Sequence, residues 1–248
     1  MRENGTKKKF YDAIDELYSK IRNTQGDNIE AAGKMIADTI EKGGCIAIYD
    51  TGHLINSELL NRAGGPVYIR RFNYNLSIDN HTRPRDKAAA GVNASMEGLA
   101  NFALRNSGML PGDTLIVGSV SGKTLNVIDL VVEAKKFGLN VITLSSHEYS
   151  SQLESQHSCG KRMFELGDIN IDNCSPFGDA MLEVEPYDHK IIPSSGLAAA
   201  YIMWAVIADA TDFLIERDVI PGMLCSVNFP PNVEYNNKLY KQYEQTGK

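Results

Sequence analysis

A chain of 248 residues with 43% apolar side chains carries enough material for one substantial core. Its net charge of −6 offers no basic field to nucleic acid or to an anionic membrane, so an anionic ligand must be held by local donors. Four cysteines, Cys45, Cys159, Cys174 and Cys225, lack C-x-x-C spacing, which argues against structural zinc and for reduced thiols in a cytoplasmic protein.

The N-terminus MRENGTKKKF is basic, but no apolar run follows it, and no secretory signal is expected. Phe10, Ile14, Leu17, Tyr18 and Ile21 share one helical face. After polar Thr24 to Asp27 a second face follows at Ile29, Ala32, Ile36 and Ile40. Two helices within residues 1–42 are therefore expected ahead of the sheet, their apolar stripe serving either a partner subunit or internal packing. Gly43-Gly44 ends the second of them, and Cys45 to Tyr49 reads as the first strand. Asp50-Thr51-Gly52-His53 then turns into LINSELLNRAGG, and a glycine turn between strand and helix points backbone N–H groups to the carboxyl edge of a parallel sheet. Thr51, Gly52 and His53 are placed there to meet a ligand, with Asn56, Ser57 and Glu58 in the turns that follow. A glutamate on so short a helix is equally suited to solvent.

Val67 to Arg71 reads as a second strand. Phe72 to Asn93 has neither helical nor strand period, holds His81, Arg83, Arg85 and Lys87, and is either a loop over a site or a solvated connection. Met96 to Arg105 is a helix with Glu97 near its start. From Thr114 to Ser146 the chain forms a complete β-α-β unit: an unalternating apolar strand, a break, apolar residues at helical spacing from Val127 to Ala134, then the β-branched run Val141 to Leu144.

The break, Gly118-Ser-Val-Ser-Gly-Lys-Thr124, is the chemically loudest stretch. The helix that follows leaves its first N–H groups unpaired and partly positive, Gly122 lets the backbone approach a ligand, and Ser119, Ser121 and Thr124 add three hydroxyls. Lys123 supplies charge if it turns inward, and Ser145 and Ser146 offer further hydroxyls at the next strand's end. A phosphate ester is the matching ligand; a plain helix cap at Ser121 or Thr124 is the competing role. The spacing is one residue short of the nucleotide-binding G-x-x-x-x-G-K-[ST] loop, which argues against a nucleotide triphosphatase.

Tyr149 to Lys161 reads as a loop, and Gly167 to Cys174 as a short strand whose end carries Asp172 and Asn173, suited to sugar hydroxyls or to a turn. The apolar run Leu197 to Ala208, too short for a bilayer and running into Asp209 and Asp212, begins a buried helix that continues to Arg217, capped by Ser194 or Ser195. Glu234 to Tyr243 forms a terminal helix within residues 226–248.

Ser119-Val-Ser121-Gly122-Lys-Thr124 resembles the S-x-S-G-x-T phosphate loop of the sugar isomerase (SIS) domain. The resemblance implies an α/β three-layer sandwich with a five-stranded parallel sheet of flavodoxin-like order, one domain over residues 1–248, a phosphosugar ligand, a homodimer or higher homo-oligomer, and no metal or organic cofactor. T-G-H followed by E-x-x-x-R-A-G-G, then H-S-C-G-K-R at His157 to Arg162, I-D-N-C-x-P-x-G-D-A from Ile171 and S-V-N at Ser226 are most similar to stand-alone bacterial SIS proteins that carry a phosphoheptose isomerase label. In the similar isomerases a glutamate followed by leucine is catalytic, which implies that role for Glu58 of Glu58-Leu59. Related etherases use acidic residues for proton transfer, which makes Glu97 a further candidate. Two departures stand out: the first loop is shorter than the group's G-T-G-H-S-H with Asp50 in place of glycine, and Leu197 to Arg217 holds no catalytic histidine. His189 just upstream is the substitute candidate. The implied activity is aldose–ketose isomerisation of a sugar phosphate through an enediol; the alternatives are a phosphosugar sensor without turnover and an etherase or lyase acting on an amino-sugar phosphate.

Overall fold

The computed structural model describes residues 5–51, 55–79, 82–86 and 95–247. Five strands, β1 (Ile46–Asp50), β2 (Ile69–Arg71), β3 (Thr114–Gly118), β4 (Asn140–Ser145) and β5 (Ile169–Asp172), form one parallel sheet in the order β2-β1-β3-β4-β5. This is the flavodoxin-like order, in which the strand direction of winding reverses between β1 and β3. Alternation along each strand sorts the two faces. Ile46, Ile48, Ile116, Ile142, Leu144 and Ile171 pack on one side, while Ala47, Leu115, Val117 and Val141 pack on the other.

The first face is covered by α1 (Thr6–Glu41) and α6 (Ser195–Ile215), the second by α3 (Leu99–Arg105) and α4 (Leu125–Phe137). The result is the expected three-layer α/β sandwich. Helix α1 crosses α6 with backbones nearly touching at Gly33, where an added Cβ would stand 2.7 Å from the Cβ of Asp209 and 2.9 Å from the amide nitrogen of Ala210. It is thus an integral wall of the core. Helix α7 (Pro231–Thr246) closes the edge beside β2, with the Arg70 guanidinium over the rings of Tyr240 and Tyr243. A small antiparallel pair, β6 (Ala180–Leu182) and β7 (Ile191–Pro193), leads into α6.

One expectation, about α1, needs correction. The polar stretch Thr24 to Asp27 does not break α1, which runs unbroken for 36 residues. The Thr24 hydroxyl bonds back to the Lys20 carbonyl, and buried Gln25 accepts the Asp172 amide at 3.1 Å, so this polar turn docks on the end of β5 instead of ending the helix. Helix α6 runs for 21 residues, close to the expected span, and by length and composition alone it could cross a bilayer. Its inner face, Ala198, Ala199, Ile202, Met203, Val206, Ile207, Ala210 and Leu214, is instead buried against α1 and the sheet.

Candidate phosphate-loop site

The ends of β1 and β3 lie side by side at the reversal of the strand order, and the Thr51 amide donates to the Gly118 carbonyl at 3.3 Å. Beyond β3 the chain runs through Ser119 to Thr124 into α4. Ser119 is buried and its amide pairs with the Leu144 carbonyl, while the Ser146 amide pairs with the Val120 carbonyl, so the loop's entry is an extension of the sheet. Its exit is tied by carbonyls: Gly122 and Lys123 accept the amides of Met163 and Gln156. These two carbonyls are thus taken up by neighbouring loops. The amides of Ser121 through Val127 have no acceptor among the described residues.

Gly122 adopts φ +54°, and a Cβ there would stand 3.0 Å from the Cβ of Met163, so both conformation and space favour glycine. Thr124 is the N-cap of α4 in extended conformation, yet its side chain makes no capping hydrogen bond. The competing role of a plain cap is thus not taken up by Thr124. Ser145 and Ser150 are fully buried beside Gly122, and neither hydroxyl has a partner among the described residues. A buried hydroxyl without a partner is costly, by about 1–3 kcal/mol, so these two are available to a polar ligand or to water.

Neighbouring helix starts are built differently. Asp50 Oδ2 accepts the Ile55 amide at 3.0 Å before α2 (Asn56–Leu59). Asp129, buried in α4, accepts the amides of Gly98 and Ala100 at the start of α3. Asp172 Oδ1 accepts the His147 amide and Ser146 Oγ accepts the Tyr149 amide at the start of α5 (His147–Ser151). Asp179 takes the amides of Ser194 and Ser195 at the start of α6. Of the helices between the two ends of the chain, only α4 begins without a side chain from the described residues on its amides.

Other candidates fall into groups. Glu58 lies on the α1/α6 face, where one carboxylate oxygen, Oε1, meets both Trp204 Nε1 at 3.2 Å and the Arg62 guanidinium at 3.3 Å. Its Oε2 has no partner among the described residues. Thr51 is exposed at the switch point; Gly52 and His53, like His81 and Lys87, lie outside the described residues. Ser146 is engaged on both sides, donating to the Ser175 carbonyl at 2.6 Å while capping α5, so its hydroxyl is not free for a phosphate as Ser145's is. Asp172 spends its carboxylate on the amides of His147 and Cys174, which makes it a turn residue. Asn173 accepts the Ser175 amide and keeps a buried Nδ2 without a partner among the described residues.

Glu97 does not stand free. Its two oxygens accept the amide and the hydroxyl of Ser158 at 2.7 Å each, and those bonds hold its carboxyl below the usual range. It pins the loop of His157 to Arg162 to the start of α3 and is poorly suited to give up a proton at neutral pH. His189 sits exposed in the β6–β7 connection, paired with Asp188 at 2.8 Å and beside the Tyr187 ring; its contacts are with that hairpin and not with the α4 loop. The hairpin connection packs near Lys9, whose ammonium reaches the Glu183 carbonyl.

Sequence reasoning missed a cleft of about 600 Å³ on the α3/α4 face, bordered by Thr124 and walled by Tyr49, Tyr74, Met96, Leu99 and Leu125. Tyr74 comes from the aperiodic stretch after β2, where no pattern marks which side chains turn inward. Burial raises its phenol well above the usual range. The remote carboxylates Asp129 and Asp179 were missed for a related reason: each closes a helix from a distant point of the chain. Among the described residues no three His, Cys, Asp or Glu side chains gather as metal ligands.

The profile of the SIS domain matches residues 9–146. A UPF0309 protein of Streptomyces coelicolor is 31% identical over 236 residues, covering 94% of this chain and 93% of its own length. Another UPF0309 protein, from Oceanobacillus iheyensis, is 28% identical over 244 residues, 96% of each chain. Among solved structures, a phosphoheptose isomerase from Francisella tularensis is similar at 16% identity and a TM-score of 0.49, covering 87% of this chain and all of its own. One from Neisseria gonorrhoeae is similar at 14% identity and a TM-score of 0.45, covering 82% and 94%.

Proposed function

The chain belongs to the SIS domain family, and from that premise we propose that it binds a sugar phosphate at the Ser119–Thr124 loop and isomerises it between aldose and ketose. The observation that carries the binding reading is the α4 N-terminus. A run of amides from Ser121 to Val127, an N-cap threonine that caps nothing and the buried hydroxyl of Ser145 form a donor-rich, anion-seeking surface in an acidic protein. Ser119, Ser121, Thr124 and the Gly122 amide hold the phosphate, while Thr51 and Asn173 are suited to the sugar's hydroxyls. Four unpaired cysteines fit a reducing cytoplasm.

The isomerase reading rests on Glu58. Moving a proton between adjacent carbons through an enediol requires one positioned base, and Glu58 has one oxygen anchored by Trp204 and Arg62 and the other free to work. The absence of a histidine from α6 favours a second reading in which the protein binds without turnover. The two are separated by incubating the protein with a panel of aldose phosphates and following ketose formation by NMR. Product that disappears in Glu58→Gln supports the isomerase. Calorimetric binding without product supports the sensor, and product unchanged in Glu58→Gln removes Glu58 from the mechanism.

A further inference from the structure

We infer that Trp204 is the positioning residue of Glu58: its indole N–H ties one carboxylate oxygen to α6 and leaves the other to move the substrate's proton. The inference rests on the isomerase reading and names the residue on which the base depends.

The two groups that reach Glu58 Oε1 among the described residues, Trp204 Nε1 at 3.2 Å and the Arg62 guanidinium at 3.3 Å, are not equivalent. The Arg62 side chain is 54% exposed, so holding it in one place costs rotamer freedom and water screens its attraction. Trp204 projects from α6, a helix fixed by its buried inner face. Its ring is also wedged against Gly65, where an added Cβ would stand 3.3 Å from the ring carbon Cη2 and 3.2 Å from the Arg62 carbonyl oxygen. Gly65 is itself pinned, its amide on the Arg62 carbonyl and its carbonyl on the Leu224 amide. The R-A-G-G run that follows Glu58 thereby forms a seat for the ring that holds the glutamate.

An indole N–H only donates, so Trp204 cannot carry the proton itself and is no replacement for the histidine that α6 lacks. What it supplies is direction. Its bond to the carboxylate is charge-assisted, and it keeps Oε1 occupied while Oε2 meets the substrate. A base held in one orientation is what proton abstraction from carbon requires.

Trp204 is the one tryptophan of the chain, so its emission reports on Glu58 directly. The charge that faces the pair among the described residues is Arg62; farther along α6, Asp209 interacts with Asp212 and with Glu30 of α1. In an acid titration the Trp204 emission should shift in a step that Glu58→Gln removes. With the panel of aldose phosphates, Trp204→Phe, which keeps a ring and loses the N–H, should lower kcat about tenfold or more while KM and the affinity for inorganic phosphate stay unchanged. Arg62→Ala should lower kcat less. Circular dichroism confirms that each variant is folded. An emission step that persists in Glu58→Gln, or an unchanged kcat in Trp204→Phe, overturns the inference and leaves the isomerase reading standing. No ketose from the wild-type protein overturns that reading and, with it, the catalytic use of the contact.

Discussion

Helices α4 and α6 start from similar residues and end up with opposite uses. Both are capped by a hydroxyl residue, Thr124 and Ser194, and in neither does that residue's own side chain bond back to the first turn. At α6 a carboxylate arrives from outside. Asp179 Oδ1 accepts the amides of Ser194 and Ser195, its Oδ2 accepts the Ser195 hydroxyl at 2.8 Å, and its carbonyl takes the Ser194 hydroxyl. At α4 no side chain of the described residues arrives. A helix start supplied with its own anion is a joint of the fold, and one left bare beside three hydroxyls fits the anion site proposed above.

Breaking the joint should have the largest effect. Asp179→Ala removes several charge-assisted hydrogen bonds at once and should lower stability by about 2–3 kcal/mol in chemical denaturation. A loss below about half a kcal/mol would mean that α6 does not depend on Asp179, and the contrast with α4 would collapse. Gly122→Ala forces an unfavourable left-handed residue against Met163 and should cost about 1–2 kcal/mol, with loss of phosphate affinity beyond that.

The start of α5 offers a pH test of the filled class. His147, whose amide is held by Asp172, stacks on Phe164, and burial pushes its imidazole below the ordinary value while Asp172 opposes the shift. With the folded value depressed, the unfolded chain takes up the proton first. Stability should be intact above the ordinary histidine value of about 6.5 and fall as pH drops through the folded value. Denaturation across that range should show this limb in the wild type and lack it in His147→Phe. The smallest structural effect belongs to the bare helix: Thr124→Ala should change stability by less than about 0.5 kcal/mol, since no cap is lost, while weakening phosphate binding by about tenfold. A full N-cap penalty with unchanged phosphate affinity would reverse the assignment of the two helices.

What could be read from the chain divides along the same line. The strands β1, β3 and β4 and the loop before α4 were legible because unalternating apolar runs and a glycine-hydroxyl break are local signals. The reach of α1 through Thr24 to Asp27 was not, because Gln25 is rewarded by the end of β5, a contact invisible to periodicity. Strands β6 and β7, three residues each, are too short to show a period, so the hairpin that holds His189 leaves no local signal. The same limit explains why Glu97 looked like a proton donor: its engagement with Ser158, far along the chain, turns it into a clasp. Local chemistry marked a donor-rich helix start; long-range contacts decided which polar groups were already spoken for.

The most direct measurement is an amide-resolved NMR titration with inorganic phosphate. The account predicts that the largest shifts fall on the amides of Ser121 through Val127, with those of Ser194 and Ser195 unmoved because Asp179 already occupies them. Shifts centred on Ser194 and Ser195, or a titration that leaves the α4 loop unperturbed at millimolar phosphate, would contradict it.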